Sequence, residues 1–398
     1  MKTQRFNIFV TIAYLLGVAV SLQAQDSIAP PARKPTADKL VANWLTRQDK
    51  NGDGKISRSE AVGPMQANFA RNDLNKDNYL DREELASLAE GLSRKGLDRR
   101  NRNSTNNGTK PERMTTEQLM KRARNGIVIE PDIAYRSGNS KAWRLDLVRP
   151  KELGAKPRPA IVFVHGGGWR NGDKRTATFL NGALTYAQSG YICITINYRL
   201  ADEAPFPACV EDCKCAVRWL RAHAEVYNVD PKRIGGFGNS AGAHLVAMLG
   251  LAPRSAGLEG DGSHQDTSSA LQAACCAATP TDFLFRPEDL ARFSRAGSLL
   301  YGPTQSLEER ARRASPISYV RKDAPPFLLI HGTVDNTVNV AHDDRFVEAL
   351  TKVGARDVSY LRIDGAGHGV FNEHAEKTHA AMKAFFARTI GDASRGVK

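Results

Sequence analysis

From Thr115 onward, short runs of β-branched and apolar residues alternate with longer amphipathic stretches, and this alternation narrows the available folds more than anything else in the chain. It predicts βαβ units and a mostly parallel central sheet flanked by helices, an α/β fold. The clearest strands are Ala160 to Val164, Tyr191 to Ile196, Arg233 to Phe237, Ala270 to Ala277 and Phe327 to Ile330, with a further one at Val358 to Ile363. Each is a nearly continuous apolar or small-residue run, as expected of strands covered on both faces. The clearest helices are Ala208 to His223, Ala241 to Leu249, Ala341 to Val353 and Glu373 to Arg388. In the first of them Val210, Cys213, Val217, Leu220 and Ala224 recur at helical spacing and form one buried face.

The 398 residues suffice for one large domain and a small one, and an apolar share of 41% with 25% charged is that of an ordinary globular protein. Residues 1–24 read as an export signal: Lys2 and Arg5, an apolar run from Ile8 to Val20, and small residues ending at Ala24. This predicts a secreted or periplasmic protein with no membrane span in its mature chain. Residues 25–37 form a Pro-rich spacer, 38–92 a small acidic and polar module, 93–114 a basic linker and 115–392 the α/β domain. The net charge of +13 suggests nucleic acid until it is located: residues 93–126 hold ten Lys or Arg against three Asp or Glu. The core of that stretch has almost no apolar residue, so the reading is a solvated linker and no nucleic-acid partner. Adhesion to an acidic polysaccharide is the sharper alternative. The six cysteines are too crowded for a dense disulfide framework and read mostly as small buried apolar residues, with one bridge left open.

Four fragments carry chemistry. His165-Gly166-Gly167-Gly168-Trp169 directly follows a strand, and glycines let backbone N–H groups approach an oxyanion closely. Gly238-Asn239-Ser240-Ala241-Gly242 lies between a strand and a helix, the setting of a nucleophile elbow, with the Ala241 N–H placed to join the oxyanion donors. His331-Gly332-Thr333-Val334-Asp335 puts a carboxylate at a strand's carboxyl end, where it would orient a histidine. Gly365-Ala366-Gly367-His368-Gly369 supplies that histidine, in a loop with no evident packing role for it. Each fragment has an innocent reading as a turn. Ser240, Asp335 and His368 in this chain order, each at a predicted strand end, are hard to explain except as a catalytic triad.

These fragments, with Asn197-Tyr198-Arg199-Leu200, Pro205-Phe206-Pro207-Ala208 and Ala216 to Arg221, resemble the hormone-sensitive-lipase-like esterases of the α/β-hydrolase superfamily, most closely the branch with acetyl-xylan and feruloyl esterases. The resemblance covers residues 125 to 390. It implies an α/β-hydrolase fold, an oxyanion hole from the N–H groups of Gly167, Gly168 and Ala241, and metal-free hydrolysis through an acyl-enzyme. One departure is Val338-Asn339, where the family usually has Val-Pro.

The front module contains two twelve-residue loops with the ligand spacing of calcium-binding EF-hands. The first takes Asp49, Asn51, Asp53, Lys55 (by its carbonyl), Ser57 and Glu60 as ligands, with Gly54 at the sharp turn. The second takes Asp73, Asn75, Asp77, Tyr79, Asp81 and Glu84, with Asn78 replacing the glycine. Only Ala61 to Asn72 lie between the loops, enough for one shared helix, and Ile56 and Leu80 should pair as a short β-bridge. Calcium here would be structural, not catalytic. Docking to a scaffold partner is the alternative to simple stabilisation or tethering.

The sequence therefore points to a secreted serine ester hydrolase, acting on acyl or aryl-acyl groups of a polysaccharide or related ester. A serine peptidase or amidase on the same fold is the runner-up. A calcium-dependent binding or scaffold protein with an inactive hydrolase domain is the reading from a different class. Residues Asp282 to Ala314 are expected to cap the pocket.

Overall fold

The computed structural model describes residues 37–62, 64–67, 69–89, 114–123, 125–303 and 305–391. The segment expected to be an export signal, and nearly all of the expected Pro-rich spacer and basic linker, lie outside them. The chain divides into two compact units, with the boundary between 111 and 112.

In the first unit, α1 (Ala37–Gln48) precedes the first loop and β1 (Ile56–Ser57) closes it. Helical residues α2 (Pro64–Ala67) and α3 (Phe69–Asn72) occupy the connection, and β2 (Tyr79–Leu80) and α4 (82–89) complete the second loop. β1 and β2 are antiparallel with Ile56 opposite Leu80, as the loop positions predicted. Both side chains are fully buried, in a core with Val41, Phe69 and Leu85. Burial of each such side chain stabilises the pair by about 1.5–3 kcal/mol.

The second unit begins with α5 (Thr116–Met120) and two strands not expected from the sequence, β3 (Ile127–Ala134) and β4 (Arg144–Pro150). Then follow β5 (Arg158–Val164), α6 (Ala177–Gln188), β6 (Ile192–Ile196), α7 (Ala208–Ala222), β7 (Val229–Asn239) and α8 (Ala241–Leu251). The chain continues through β8 (Ala273–Ala277), α9 (Pro287–Phe293), α10 (Leu307–Ala314), β9 (Phe327–Gly332) and α11 (Ala341–Lys352). β10 (Val358–Ile363), α12 (Val370–Glu373) and α13 (Ala375–Thr389) end it. The eight strands form one sheet in the order β10-β9-β8-β7-β5-β6-β4-β3. It is parallel from β10 to β6 and antiparallel at β4 and β3.

Two-residue periodicity splits each central strand between two cores. In β5, Ala160, Val162 and Val164 face the cluster under α7 and α8, whereas Ile161 and Phe163 face the one holding Phe179, Leu180, Phe385 and Phe386 from α6 and α13. Coverage on both faces is why these strands read as unbroken apolar runs. The strand order reverses at β5: β6 lies on one side of it and β7 on the other. Such a switch point opens a crevice at the carboxyl ends of the strands. All six cysteines are buried free thiols, so the one bridge left open by the sequence is not formed. Among the described residues, no helix is long and apolar enough to cross a membrane.

Candidate active site

The crevice is built from four strand ends. β7 runs into α8 through Ser240, whose backbone sits at φ +57° and ψ −122°. That conformation is strained for a residue with a side chain, and it holds the hydroxyl clear of the sheet. The turn closes only because its neighbours are glycines. A Cβ on Gly242 would overlap the carbonyl oxygens of Val164 and His165, and one on Gly238 would overlap the backbone of Gly242. Gly242→Ala is therefore expected to push β5 and α8 apart and cost at least 3 kcal/mol, measured as the loss in unfolding free energy of the full chain. A variant within about 1 kcal/mol of the parent would show that the turn is not this tight.

The loop after β10 brings His368 to Ser240, with Nε2 3.0 Å from the serine Oγ. Its Nδ1 lies 2.7 Å from Oδ2 of Asp335, which follows β9. A carboxylate can only accept, so Nδ1 carries a proton and Nε2 is left to take one from the serine. The other Asp335 oxygen accepts the N–H groups of Thr337 (2.7 Å) and Val338 (3.0 Å), which fix the carboxylate plane. Asn339, where the resembled family has proline, touches none of these atoms; its Oδ1 accepts the Ala341 N–H.

Behind Asp335 stands a second histidine. His331 Nδ1 is 2.7 Å from Asp343 Oδ2, and its Nε2 lies 3.3 Å from Asp335 Oδ2 and 3.1 Å from the Val338 carbonyl. The side chains of His331, Asp335 and Asp343 are fully buried. Burial disfavours a charged imidazole, yet the Asp343 carboxylate and the Asp335 hydrogen bond push the His331 pKa up to about 10. Burial would likewise raise Asp335, but hydrogen bonds from His331 and His368 hold it well below the usual carboxylate range. His331 is thus an imidazolium between two carboxylates. The sequence offered it only as the residue four before Asp335.

Across the crevice, Gly167 (φ +111°) and Gly168 (φ +61°) shape the loop after β5. No protein acceptor takes the N–H of Gly167, Gly168 or Ala241 among the described residues. Trp169 clamps this loop: its Nε1–H donates to His244 Nδ1 (3.2 Å), and His244 Nε2–H donates to the Ala314 carbonyl (2.7 Å). Burial lowers the His244 pKa to about 4, which keeps the ring neutral and able to accept from Trp169. Tyr198 adds a second brace through its hydroxyl, 2.9 Å from the His165 carbonyl. No local pattern marks this clamp in the sequence, because its partners come from distant segments.

These elements enclose a cavity of about 460 Å³, walled by Gly166 to Trp169, Phe179, Ser240, Arg292, Phe293, Thr337 and His368. Arg292 and Phe293 belong to α9, within the segment expected to cap the pocket. An apolar cavity of about 550 Å³ between α6 and α13 is lined by none of Ser240, Asp335, His368, Gly167, Gly168 or Ala241. Chemically, the crevice offers a polarised hydroxyl, a base fixed in one tautomer and free backbone donors, the parts needed for nucleophilic acyl transfer.

In the front unit both loops fold back on their own acidic side chains. Asp49 accepts the N–H groups of Gly52 (2.7 Å) and Gly54 (2.9 Å), and Glu60 accepts those of Lys50 (2.9 Å), Asn51 (3.3 Å) and Ser57 (2.9 Å). The second loop repeats this with Asp73 on Asp77 and Asn78 (both 3.1 Å), and Glu84 on Leu74 (2.6 Å), Asn75 (3.2 Å) and Asp81 (3.1 Å). Asn78 adopts φ +67°, close to the +79° of Gly54, so it serves as the left-handed turn residue. The donors are all oxygen, which suits a hard cation. Among the described residues, however, no three Asp, Glu, His or Cys side chains are gathered tightly enough to cage an ion. The carboxylates rest on loop N–H groups instead.

Comparison with known proteins agrees with this architecture. The EF-hand family model matches residues 41–60 and 67–89, and the BD-FAE model matches residues 145–350. Esterase LipC of Mycobacterium tuberculosis is 34% identical over 235 residues, 58% of this chain and 58% of that protein. Esterase LipQ of the same organism is 33% identical over 248 residues, 60% of this chain and 56% of that protein. The chain thus spans less than two thirds of the length of these curated relatives. A truncated carbohydrate esterase from gut microbiota superposes with a TM-score of 0.58 at 27% identity, covering 67% of this chain and 98% of that one. The butyrate-bound esterase Est2 of Thermogutta terrifontis gives 0.57 at 29% identity, covering 71% and 100%. With its family model spanning the strand ends that hold the serine and the carboxylate, the chain belongs to the BD-FAE family and has the α/β-hydrolase fold.

Proposed function

We propose that the chain is an exported serine carboxylic-ester hydrolase, with Ser240, His368 and Asp335 as its triad. One observation carries this reading: a strained serine whose hydroxyl lies 3.0 Å from a histidine held by a buried carboxylate. Ser240 Oγ attacks the ester carbonyl carbon while its proton passes to His368 Nε2. The oxyanion that forms is met by the N–H groups of Gly167, Gly168 and Ala241. Collapse re-forms the carbonyl and breaks the bond between its carbon and the alkoxy oxygen, and His368 returns the proton to the departing alcohol. Water then attacks the acyl-serine with His368 again as base, releasing the acid and restoring Ser240. Asp335 stays a carboxylate throughout. An ester on a polysaccharide is the proposed substrate, supported by the carbohydrate esterase among the structural neighbours and by the N-terminal pattern of an export signal.

A fluorophosphonate probe should label the protein at Ser240, with parallel turnover of p-nitrophenyl acetate. A folded chain that neither labels nor hydrolyses any ester would instead favour a binding protein with an inert hydrolase domain.

The front unit is proposed to bind calcium through Asp49, Asn51, Asp53, the Lys55 carbonyl, Ser57 and Glu60, and through the matching set from Asp73 to Glu84. Every proposed ligand lies in the first unit, and the triad lies in the second. Chelation by EGTA should therefore lower the thermal stability of the first unit while p-nitrophenyl acetate turnover persists. Loss of turnover with the second unit still folded, read by near-ultraviolet circular dichroism, would refute this independence.

A further inference from the structure

Among the described residues that line the cavity at Ser240, one carries a permanent charge, and it is positive. Arg292 lines the wall formed by α9, and its Nη1 donates to the Thr337 carbonyl (3.0 Å) on the loop that follows Asp335. A guanidinium has five N–H donors in a planar fork, and this contact uses one of them. Among the described residues no carboxylate pairs with Arg292. Of the acids on its own helix, Glu288 and Asp289 pair with Arg286 at 3.0 and 3.4 Å, and Asp289 also meets His342 at 3.0 Å. Against the effect of burial, His342, Arg286 and the more distant Arg292 hold the Asp289 pKa down, but Arg292 forms no ion pair with it. Among the described residues, no Asp or Glu lines the cavity. The Phe293 ring lies 5.1 Å beneath the guanidinium, an apolar base that leaves its remaining N–H groups directed along its plane. Arg170, next after Trp169 in the oxyanion loop, is a second guanidinium without a carboxylate among the described residues, and it approaches Gly297 just beyond the same helix.

From this arrangement we infer that Arg292 is an anion subsite, and that the substrates favoured at Ser240 are esters bearing a carboxylate close to the scissile bond. The inference rests on the ester-hydrolase reading and sharpens it to a substrate class. The carboxylate can lie on either side of the ester. On the alcohol side it describes an acylated acidic saccharide; on the acyl side it describes a half-ester of a dicarboxylic acid. Each would form a charge-assisted, fork-to-carboxylate pair, which a neutral ester of the same shape cannot.

The test compares matched esters on the full-length wild type, Arg292→Gln and Arg292→Lys. The alcohol-side pair is 4-acetoxybenzoate against 4-acetoxybenzamide. The acyl-side pair is mono-p-nitrophenyl glutarate against p-nitrophenyl valerate. The readout is the ratio of kcat/KM for the anionic member to that for the neutral one. In the wild type this ratio should exceed one for at least one pair and fall as salt rises. Arg292→Gln should lower it roughly tenfold, and Arg292→Lys should retain part of it. The pair that responds identifies the side of the ester that faces Arg292. A ratio that Arg292→Gln leaves unchanged in both pairs overturns the inference, because a structural role would slow charged and neutral esters alike. A wild type that turns over none of the four compounds, nor p-nitrophenyl acetate, overturns the ester-hydrolase reading itself.

Discussion

Ser240→Ala should lower kcat on p-nitrophenyl acetate by about five to six orders of magnitude, leaving the modest acceleration that oxyanion donors and binding provide alone. The loss is this large because Ser240, His368 and Asp335 act as a unit. Without the hydroxyl there is nothing for His368 Nε2 to deprotonate, and the hydrogen bond that Asp335 accepts from its Nδ1 orients a base with no task. The fold should be unaffected. Alanine meets the same strain at φ +57° as serine does, and the Ser240 N–H would still donate to the Ala277 carbonyl at 2.8 Å. Unfolding free energy within about 0.5 kcal/mol of the parent, together with lost turnover and lost probe labelling, is the expected combination. Retention of more than a few per cent of kcat would mean that another group is the nucleophile.

The second large effect concerns stability. His331→Ala should cost about 3–5 kcal/mol, because it leaves the Asp335 and Asp343 carboxylates buried around a cavity with their shared cation removed. The cost should depend on pH in a defined direction. In the folded chain the His331 pKa is raised to about 10, against an ordinary value of 6.5. A raised pKa means that the folded state holds the proton more tightly than the unfolded one. The stabilisation is therefore complete below about pH 6.5, declines as pH rises, and is exhausted above about pH 10. Unfolding free energies of wild type and His331→Ala should accordingly differ most near pH 6 and converge toward pH 10. A gap that stays constant across this range would mean that the histidine contributes packing alone. The depressed Asp335 pKa reports part of the same interaction from the other partner, so the two are not added.

What the sequence revealed, and what it concealed, follows from where each residue's partners lie. The EF-hand loops were legible because each loop pattern falls within twelve consecutive residues, and the EF-hand family model matches both. The central strands were legible because burial on both faces demands unbroken apolar runs such as Ala160 to Val164. β3 and β4 were not, because antiparallel pairing at the sheet's edge tolerates Glu130, Pro131, Asp132, Arg144 and Asp146. Two of those acids enter an ion cluster that no local pattern shows. Asp146 meets Lys174 and Arg175, and Arg175 also reaches Asp132 at 2.7 Å, beside the loop that leads into α6. α6 itself was missed, since Gly182 and Thr185 weaken its helical signature. The convergence of Ser240, Asp335 and His368 was readable from their strand-end fragments. The buried His331–Asp343 pair and the His244 clamp were not, because their roles depend on contacts made only when the sheet assembles.

The direct ladder between β5 and β7 has a consequence for how such a protein can diversify. Val164 and Gly238 are partners in it, so the glycine loop and the nucleophile turn leave neighbouring rungs. Their spacing is set by backbone register, and no change of side chain can adjust one without the other. Selection for new substrates is thereby steered toward the stretch carrying α9 and α10, which borders the cavity through Arg292 and Phe293 yet supplies no rung between those two strands. Exchanging residues 282–314 between relatives should transfer preference while sparing the reaction, making that stretch the natural place to begin redesign.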